Sequence, residues 1–161
     1  MKRVLVVGCP GSGKSVFSRA LAEKTGLALC HLDLLYWNAD KTTVERPLFL
    51  KRLSAVLEGE EWIIDGNYAS TMAWRMDCCD TVFFLDYPTD ICLEGINARK
   101  GKPRPDMPWI EEEDDEDFLS FVQSYNTISR PRVLELMARY PEKNCIVFKS
   151  REEADVYLKS L

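Results

Sequence analysis

The chain has 161 residues, of which 46% are hydrophobic and 29% are charged, the balance of one globular domain rather than of a disordered protein. Its formal net charge is −5, so the surface as a whole repels nucleic acid and we expect no direct nucleic-acid binding. No apolar run approaches the roughly 20 residues that a membrane span requires, so no membrane association is expected.

Apolar runs and helical stretches alternate along the first half of the chain. The run RVLVVG (3–8) predicts a buried strand rather than a signal peptide, because it is short and ends in glycines and a lysine; we therefore expect a cytoplasmic protein. A helix over 13–26 closed by Gly26 and a second strand over 27–33 follow. The stretch 44–59 fits a helix with Leu50, Leu53 and Leu57 on one face.

The second half of the chain continues the alternation. Strands are predicted over 62–66 and 81–86, with a short helical connection between them, and a helix over 89–100 follows with Thr89 or Asp90 as its cap. A helix begins near Asp117, a last strand covers 144–149, and a capping box from Ser150 to Glu153 opens the closing helix. Five apolar strands separated by helices predict a three-layer α/β/α fold with a parallel sheet covered on both faces.

The six cysteines do not predict a metal site. They include no C-x-x-C pair, and the chain has one histidine, His31, so the closely spaced ligands that zinc requires are absent. Several fall in apolar, strand-like runs, where cysteine behaves as a small buried hydrophobe. We interpret all six as reduced structural thiols: Cys9, Cys30, Cys78, Cys79, Cys92 and Cys145.

The stretch GCPGSGKS (8–15) matches G-x-x-x-x-G-K-[ST] in full, with a buried strand before it and an amphipathic helix after it. Glycines at 8, 11 and 13 allow the backbone to turn its N–H groups around phosphate oxygens, and the helix adds its positive end. Lys14 is predicted to reach the β- and γ-phosphates of ATP, and the Ser15 hydroxyl to bind Mg²⁺. The predicted ATP-binding set is Gly8, Cys9, Pro10, Gly11, Ser12, Gly13, Lys14, Ser15 and Val16.

Aspartates and arginines follow the predicted strands. Asp33 and Asp65 stand where open α/β sheets place their chemistry, although aspartates also start loops and cap helices. Asp86 lies close to Pro88 and fits a turn better than a site. Phosphoryl transfer needs cations around the moving group, and arginine supplies them in bidentate form. The arginines in suitable positions are Arg75, Arg99, Arg104, Arg130 and Arg132.

The order of these motifs resembles the P-loop nucleoside and nucleotide kinase superfamily, which includes adenylate kinase. More narrowly, the chain resembles the bacterial DNA topology modulation proteins. The resemblance spans nearly the entire chain and is carried by GCPGSGKS, HLDLLYW, WIIDGNY, DTVFFLDYP, RPDMP and SRPRVLELM. It implies a P-loop NTPase fold with sheet order 2-3-1-4-5, ATP and Mg²⁺ as cofactors, and a small-molecule acceptor such as a nucleoside or nucleotide.

The resemblance also implies roles for the candidate residues. Asp33 and Arg75 would face the acceptor, and Asp65 would hold the Mg²⁺ shell with Ser15. Arg99, Arg104 and Arg130 would close on the phosphates, so that the catalytic set is Lys14, Asp33, Arg75, Arg99 and Arg130, with Arg104 on the cofactor.

Residues 100–117, KGKPRPDMPWIEEEDDED, are basic and proline-rich at first and then acidic. Only one strand and a few helices follow, too little for a second core, so we interpret 1–161 as one domain and the 100–117 segment as a lid over the phosphates. A passive acidic surface loop is the alternative. Two functions stay open at this point: an Mg-ATP-dependent small-molecule kinase, or an ATP-binding regulator or slow ATPase that influences DNA topology through partners.

Overall fold

The computed structural model describes all 161 residues and contains five strands and seven helices. The strands are β1 (Arg3–Gly8), β2 (Leu29–His31), β3 (Trp62–Asp65), β4 (Thr81–Leu85) and β5 (Asn144–Phe148). The helices are α1 (Lys14–Thr25), α2 (Leu32–Tyr36), α3 (Arg46–Leu57), α4 (Ala69–Cys78), α5 (Thr89–Arg99), α6 (Glu116–Ala138) and α7 (Arg151–Ser160).

All five strands form one parallel sheet in the order β2-β3-β1-β4-β5, which confirms the predicted topology. The connection from β1 to β2 runs across the sheet in one direction, and the connections from β2 onward run in the other. Because such crossovers are right-handed, α1 covers one face together with α7, and α3 to α6 cover the other. The result is the predicted three-layer α/β/α fold.

The central strands are buried on both faces, which explains why their sequences are continuously apolar rather than alternating. Four consecutive residues of β1, from Val4 to Val7, have no exposed surface. On the α1 side, Phe17 packs edge-on against Phe83 with ring centroids 5.1 Å apart, and Tyr157 of α7 closes the same cluster. This packing holds the start of α1 at the carboxyl end of β1, where the glycine motif lies.

The second strand is shorter than predicted. It ends at His31, and Leu32 begins the five-residue helix α2. Asp33 therefore lies in the first turn of a helix rather than at the end of a strand. The burial pattern of α3 also differs slightly, because Phe49 takes the buried position with Leu53 and Leu57 while Leu50 is half-buried.

The helix caps match the sequence in part. The predicted cap of α5 is wrong: Pro88 precedes the helix without a side-chain cap, and the Thr89 hydroxyl instead accepts a hydrogen bond from Asn126 of α6. The α7 prediction is confirmed for Ser150, whose hydroxyl accepts from the Glu153 N–H at 3.3 Å. The Glu153 carboxylate reaches the Lys149 N–H at 2.7 Å, one residue earlier than the cap.

All six cysteines are free thiols, and three of them are buried: Cys9, Cys79 and Cys92. None of the seven helices combines the length and the apolar character needed to cross a bilayer.

Candidate functional site

A cavity of about 1090 Å³ opens at the carboxyl ends of the central strands. Its floor is the loop between β1 and α1, one wall comes from α2 and the loop after β3, and the other comes from α6. The 100–117 segment lies over the top. The cavity therefore brings together Lys14, Ser15, Asp33, Asp65, Arg99 and Arg104.

The phosphate-binding loop (residues 8–15) packs directly against α5. Gly11 has a left-handed φ of 83°, and a Cβ built there would lie only 1.9 Å from the carbonyl oxygen of Cys92. Reciprocally, a Cβ at Gly95 would lie 2.0 Å from the carbonyl oxygen of Gly11. Sequence reasoning missed Gly95, although a glycine inside a helix is a signal of close backbone approach. The paired glycines fix the loop against α5.

Lys14 and the loop backbone have the arrangement that phosphate binding requires. The Lys14 ammonium lies over the loop and donates to the Cys9 carbonyl oxygen at 3.3 Å, while the Gly8 N–H donates to the side chain of Asn67 at 3.2 Å. Burial lowers the pKa of Lys14, and the neighbouring Asp65 carboxylate opposes this shift. The Val16 side chain is 63% exposed, so Val16 could contact a phosphate only through its backbone N–H.

Oxygen ligands converge at the start of α1. The Ser15 Oγ lies 2.7 Å from Asp65 Oδ2, and His31 Nδ1 lies 2.8 Å from the same carboxylate oxygen and fixes its orientation. Asp106, from the 100–117 segment, places Oδ2 2.9 Å from Ser15 Oγ. Sequence analysis named Ser15 and Asp65 but missed Asp106 and the role of His31.

These oxygens fit Mg²⁺. Mg²⁺ prefers carboxylate and hydroxyl oxygens and is usually held by one or two carboxylates together with substrate phosphates and water. Nowhere in the chain do three or more His, Cys, Asp or Glu side chains converge as a metal-binding group. The donor set therefore suits a metal ion that is shared with a nucleotide rather than one caged by protein alone.

Asp33 also lines the cavity and is hydrogen-bonded to Tyr68. The Tyr68 hydroxyl donates to Asp33 Oδ1 at 2.6 Å. Burial raises the pKa of the Asp33 carboxyl, although the Tyr68 hydrogen bond and the charge of Lys14 oppose the shift. A carboxylate held in place with a raised pKa is suited to accept a proton from a hydroxyl.

Arg75 does not face the cavity, and this part of the prediction is wrong. Its side chain is completely buried, and its guanidinium donates to the backbone carbonyl oxygens of Gly66, Asn67 and Tyr68 and to the Thr71 hydroxyl. The burial lowers its pKa to about 10. All of its recorded partners are in the loop after β3 and the first turn of α4, so Arg75 acts as a scaffold for that loop.

The scaffold supports a strained residue. Tyr68 has a φ of 39°, a left-handed conformation that bulky residues rarely adopt. Its ring packs against Tyr36 and Phe49, with centroids 5.1 and 5.3 Å away. Arg75 donates a hydrogen bond to the Tyr68 carbonyl oxygen, and Tyr36 and Phe49 pack against the Tyr68 ring. These contacts direct the Tyr68 hydroxyl toward Asp33.

Arg99 and Arg104 line the cavity, and both are paired with a carboxylate of the 100–117 segment. Arg99 binds Glu111 through two contacts of 3.0 and 3.3 Å, and Arg104 reaches the same carboxylate at 3.2 Å. Only 18% of the Glu111 side chain is exposed, whereas residues 112–117 are exposed. Glu111 therefore pairs with both arginines.

Arg130 is turned away from the cavity. It forms a bidentate pair with Asp86 at 2.7 and 2.9 Å, and Lys149 binds the same carboxylate. The predicted approach of Arg130 to the phosphates is therefore wrong. Arg132, two residues later on α6, lines the cavity instead.

Two tryptophans meet at the mouth of the cavity. The rings of Trp37, after α2, and Trp109, in the 100–117 segment, are perpendicular with centroids 5.8 Å apart. The Lys41 ammonium lies 5.2 Å from the centre of the Trp109 ring. These contacts join the 100–117 segment to the Asp33 side of the cavity, and nothing in the sequence pattern indicated that they would meet.

Comparison with known proteins gives matches in structure and none in sequence. No protein-family model and no curated protein matches the chain. A shikimate kinase from Bacteroides thetaiotaomicron superposes with a TM-score of 0.64 at 18% identity, covering 99% of this chain and 95% of that one. A shikimate kinase from Acinetobacter baumannii in complex with shikimate gives a TM-score of 0.65 at 18% identity, covering 99% and 90%.

A gluconokinase from Sinorhizobium meliloti 1021 gives a TM-score of 0.59 at 18% identity, covering 99% of this chain and 92% of that one. None of these comparisons supports the narrower resemblance to DNA topology modulation proteins, which stays a prediction. What the matches share with this chain, over nearly its whole length, is the P-loop kinase fold.

Proposed function

We propose that the protein is an Mg-ATP-dependent kinase that transfers a phosphoryl group to a hydroxyl of a small molecule. The observation that carries this proposal is the convergence of three parts in one cavity. They are the phosphate-binding loop with Lys14, the oxygen cluster at Ser15, and the Asp33 carboxylate on the far side. The likeness to shikimate kinases and a gluconokinase, which act on small molecules, is consistent with it.

At the nucleotide end, the loop N–H groups and Lys14 would bind the β- and γ-phosphates and stabilise the charge that develops on them during transfer. Ser15 and Asp65 would hold Mg²⁺, which when bound neutralises the phosphate oxygens. Arg99 and Arg104 would leave Glu111 and bind the same phosphates, since guanidinium groups prefer bidentate contact with oxyanions.

At the acceptor end, Asp33 would orient the substrate hydroxyl and accept its proton as the new P–O bond forms. The Tyr68 hydroxyl holds the carboxylate in one rotamer, so that little reorganisation is needed. Around it, the cavity wall is aromatic and apolar, formed by Trp37, Tyr68, Met72 and Trp109. This wall would exclude water from the reacting groups.

Measuring ADP release with ATP alone, and then with panels of nucleosides, nucleotides, sugar acids and simple alcohols, tests the proposal. Stimulation by one acceptor class is expected. An ADP release rate that no acceptor changes would favour the second function, an ATP-binding regulator or slow ATPase, and the absence of any nucleotide binding would refute both.

Asp33→Asn should lower acceptor-dependent ADP release by about 10²-fold or more while leaving ATP affinity unchanged, as loss of a base does. Because the raised pKa of Asp33 means that the folded state favours the protonated form, its contribution to stability falls as pH rises through that pKa. The asparagine variant should therefore be at least as stable as the parent at pH 7. Asp40→Asn, at an exposed aspartate outside the cavity, is the control. Full activity with reduced stability would show that Asp33 is only structural.

A further inference from the structure

Asp106 is a buried carboxylate that shares the Ser15 hydroxyl with a second carboxylate, Asp65. It is 4% exposed, and its Oδ2 lies 2.9 Å from the Ser15 hydroxyl, which is also 2.7 Å from Asp65. A hydroxyl has one proton and can donate to only one of the two carboxylates. The second contact therefore brings two acceptor oxygens together, an arrangement that a cation between them would stabilise.

Two arginines lie near Asp106, and one histidine lies near Asp65. Arg104 lies 3.3 Å from Asp106 Oδ2, but the same guanidinium is shared with Glu111. Arg19 Nη1 lies 3.7 Å from Oδ1, which is beyond hydrogen-bond distance, and this nitrogen is itself buried without a partner. On the other carboxylate, His31 supplies one contact to Asp65. The two carboxylates and the Ser15 hydroxyl therefore lie together at the start of α1.

We propose that Asp106 is a further oxygen ligand of the Mg²⁺ site and that the 100–117 segment delivers it. The proposal rests on the proposed function, because the remaining positions of an octahedral Mg²⁺ shell would come from nucleotide phosphates and water. A hydroxyl and two carboxylates are the hard oxygen donors that this ion prefers. Asp106 is 91 residues from Ser15 in the chain, so the 100–117 segment must lie over the loop to bring it there.

The arrangement couples metal binding to closure of the 100–117 segment. Arg104 is two residues before Asp106, so the contact that places Asp106 on the metal also places Arg104 beside the phosphates. By linkage, if the metal favours the closed segment, then closure raises metal affinity by the same factor. Nucleotide bound without metal would lack the contact between Asp106 and the metal, and the 100–117 segment would be less firmly closed.

The competing interpretation is that Asp106 is an inhibitory latch, which occupies Ser15 in the free protein and must leave before the metal binds. The two interpretations predict opposite effects of Asp106→Asn, which preserves the shape and removes the charge. If Asp106 is a metal ligand, Asp106→Asn weakens metal binding. If Asp106 is a latch, the same substitution strengthens metal binding.

Electron paramagnetic resonance titration of Mn²⁺, which replaces Mg²⁺, into the protein with a non-hydrolysable ATP analogue measures the difference directly. Asp106→Asn should weaken Mn²⁺ binding at least about 10-fold, a loss of about 1.4 kcal/mol. Metal-free affinity for the fluorescent form of the same analogue should stay unchanged or rise, because a negative charge has been removed near the phosphates. Glu116→Gln removes one charge from an exposed position of the same segment that does not line the cavity, and it should leave Mn²⁺ binding unchanged.

Arg104→Gln separates a direct role of Asp106 from one through its arginine. Unchanged or tighter Mn²⁺ binding by Asp106→Asn, or an equal loss of Mn²⁺ binding in Arg104→Gln, would overturn the proposal while leaving the kinase function standing. Asp106→Glu keeps the charge and should retain part of the Mn²⁺ affinity, which covers the case in which the asparagine variant does not fold. If the parent protein binds no nucleotide, the proposed function itself fails.

Discussion

Replacing Arg75 with methionine tests whether this arginine is a scaffold or a catalytic group. The change removes hydrogen bonds to three backbone carbonyl oxygens and one hydroxyl in a fully buried place, where water cannot replace them. Each hydrogen bond to a charged group contributes about 1.5–3 kcal/mol, but burying the guanidinium opposes part of this gain. We expect a net loss of about 3–5 kcal/mol, a large share of the roughly 5–15 kcal/mol that stabilises a typical domain.

Urea denaturation followed by circular dichroism measures this loss, with an expected fall in the midpoint of about 2 M for a slope near 2 kcal/mol/M. Arg139→Met is the control, because Arg139 forms an exposed pair with Glu135 on α6, 65% and 67% exposed, and should cost less than about 1 kcal/mol. The reasoning is refuted if Arg75→Met is as stable as Arg139→Met but loses acceptor-dependent ADP release. That result would restore the role that the sequence predicted for Arg75.

Two further predictions concern the cations above the phosphates. Arg132→Gln should lower phosphoryl transfer about 10-fold or more, because Arg132 lines the cavity. Arg130→Gln should mainly lower stability, because Arg130 is paired with Asp86. Equal effects of the two variants on phosphoryl transfer would contradict this assignment. Glu111→Gln should tighten nucleotide binding several-fold by freeing Arg99 and Arg104. In the parent protein, a protease specific for glutamate should cut the 100–117 segment faster without Mg-ATP than with it, and equal rates would show that the segment is not a lid.

The fold and the phosphate-binding loop were predictable because they depend on local, short-range constraints. A glycine-rich motif between a buried strand and a helix adopts few conformations other than a phosphate-binding loop. Continuously apolar strands separated by helices form a parallel sheet that is covered on both faces. The positions of Lys14, Ser15 and Asp65 follow from that topology, since the carboxyl ends of neighbouring parallel strands meet at one edge.

Pairing between distant charged groups was not predictable from the same information. From the sequence alone, Arg75 and Arg130 were both expected to act on the substrates. In the structure Arg75 instead donates hydrogen bonds to backbone carbonyl oxygens, and Arg130 pairs with Asp86. The sequence contains the competing partners, but their distances depend on a left-handed Tyr68 and on the register of α6. Such choices are fixed only once the chain is folded.

The 100–117 segment shows the same limit most clearly, because its composition suggested exposure to solvent, while in the structure Asp106 is buried and the Glu111 side chain is only 18% exposed. Asp106 lies in the proline-rich first half of the segment and Glu111 at the start of its acidic run, and each contacts arginines at the cavity. Their partners Arg99, Arg104 and Ser15 are the groups that the proposed reaction requires. The free energy of nucleotide binding must therefore include the separation of Glu111 from its two arginines, whereas Asp106 would stay beside Ser15 as a ligand of the metal. Substitution at Glu111 and at Asp106 should therefore change nucleotide affinity in opposite directions once metal is present.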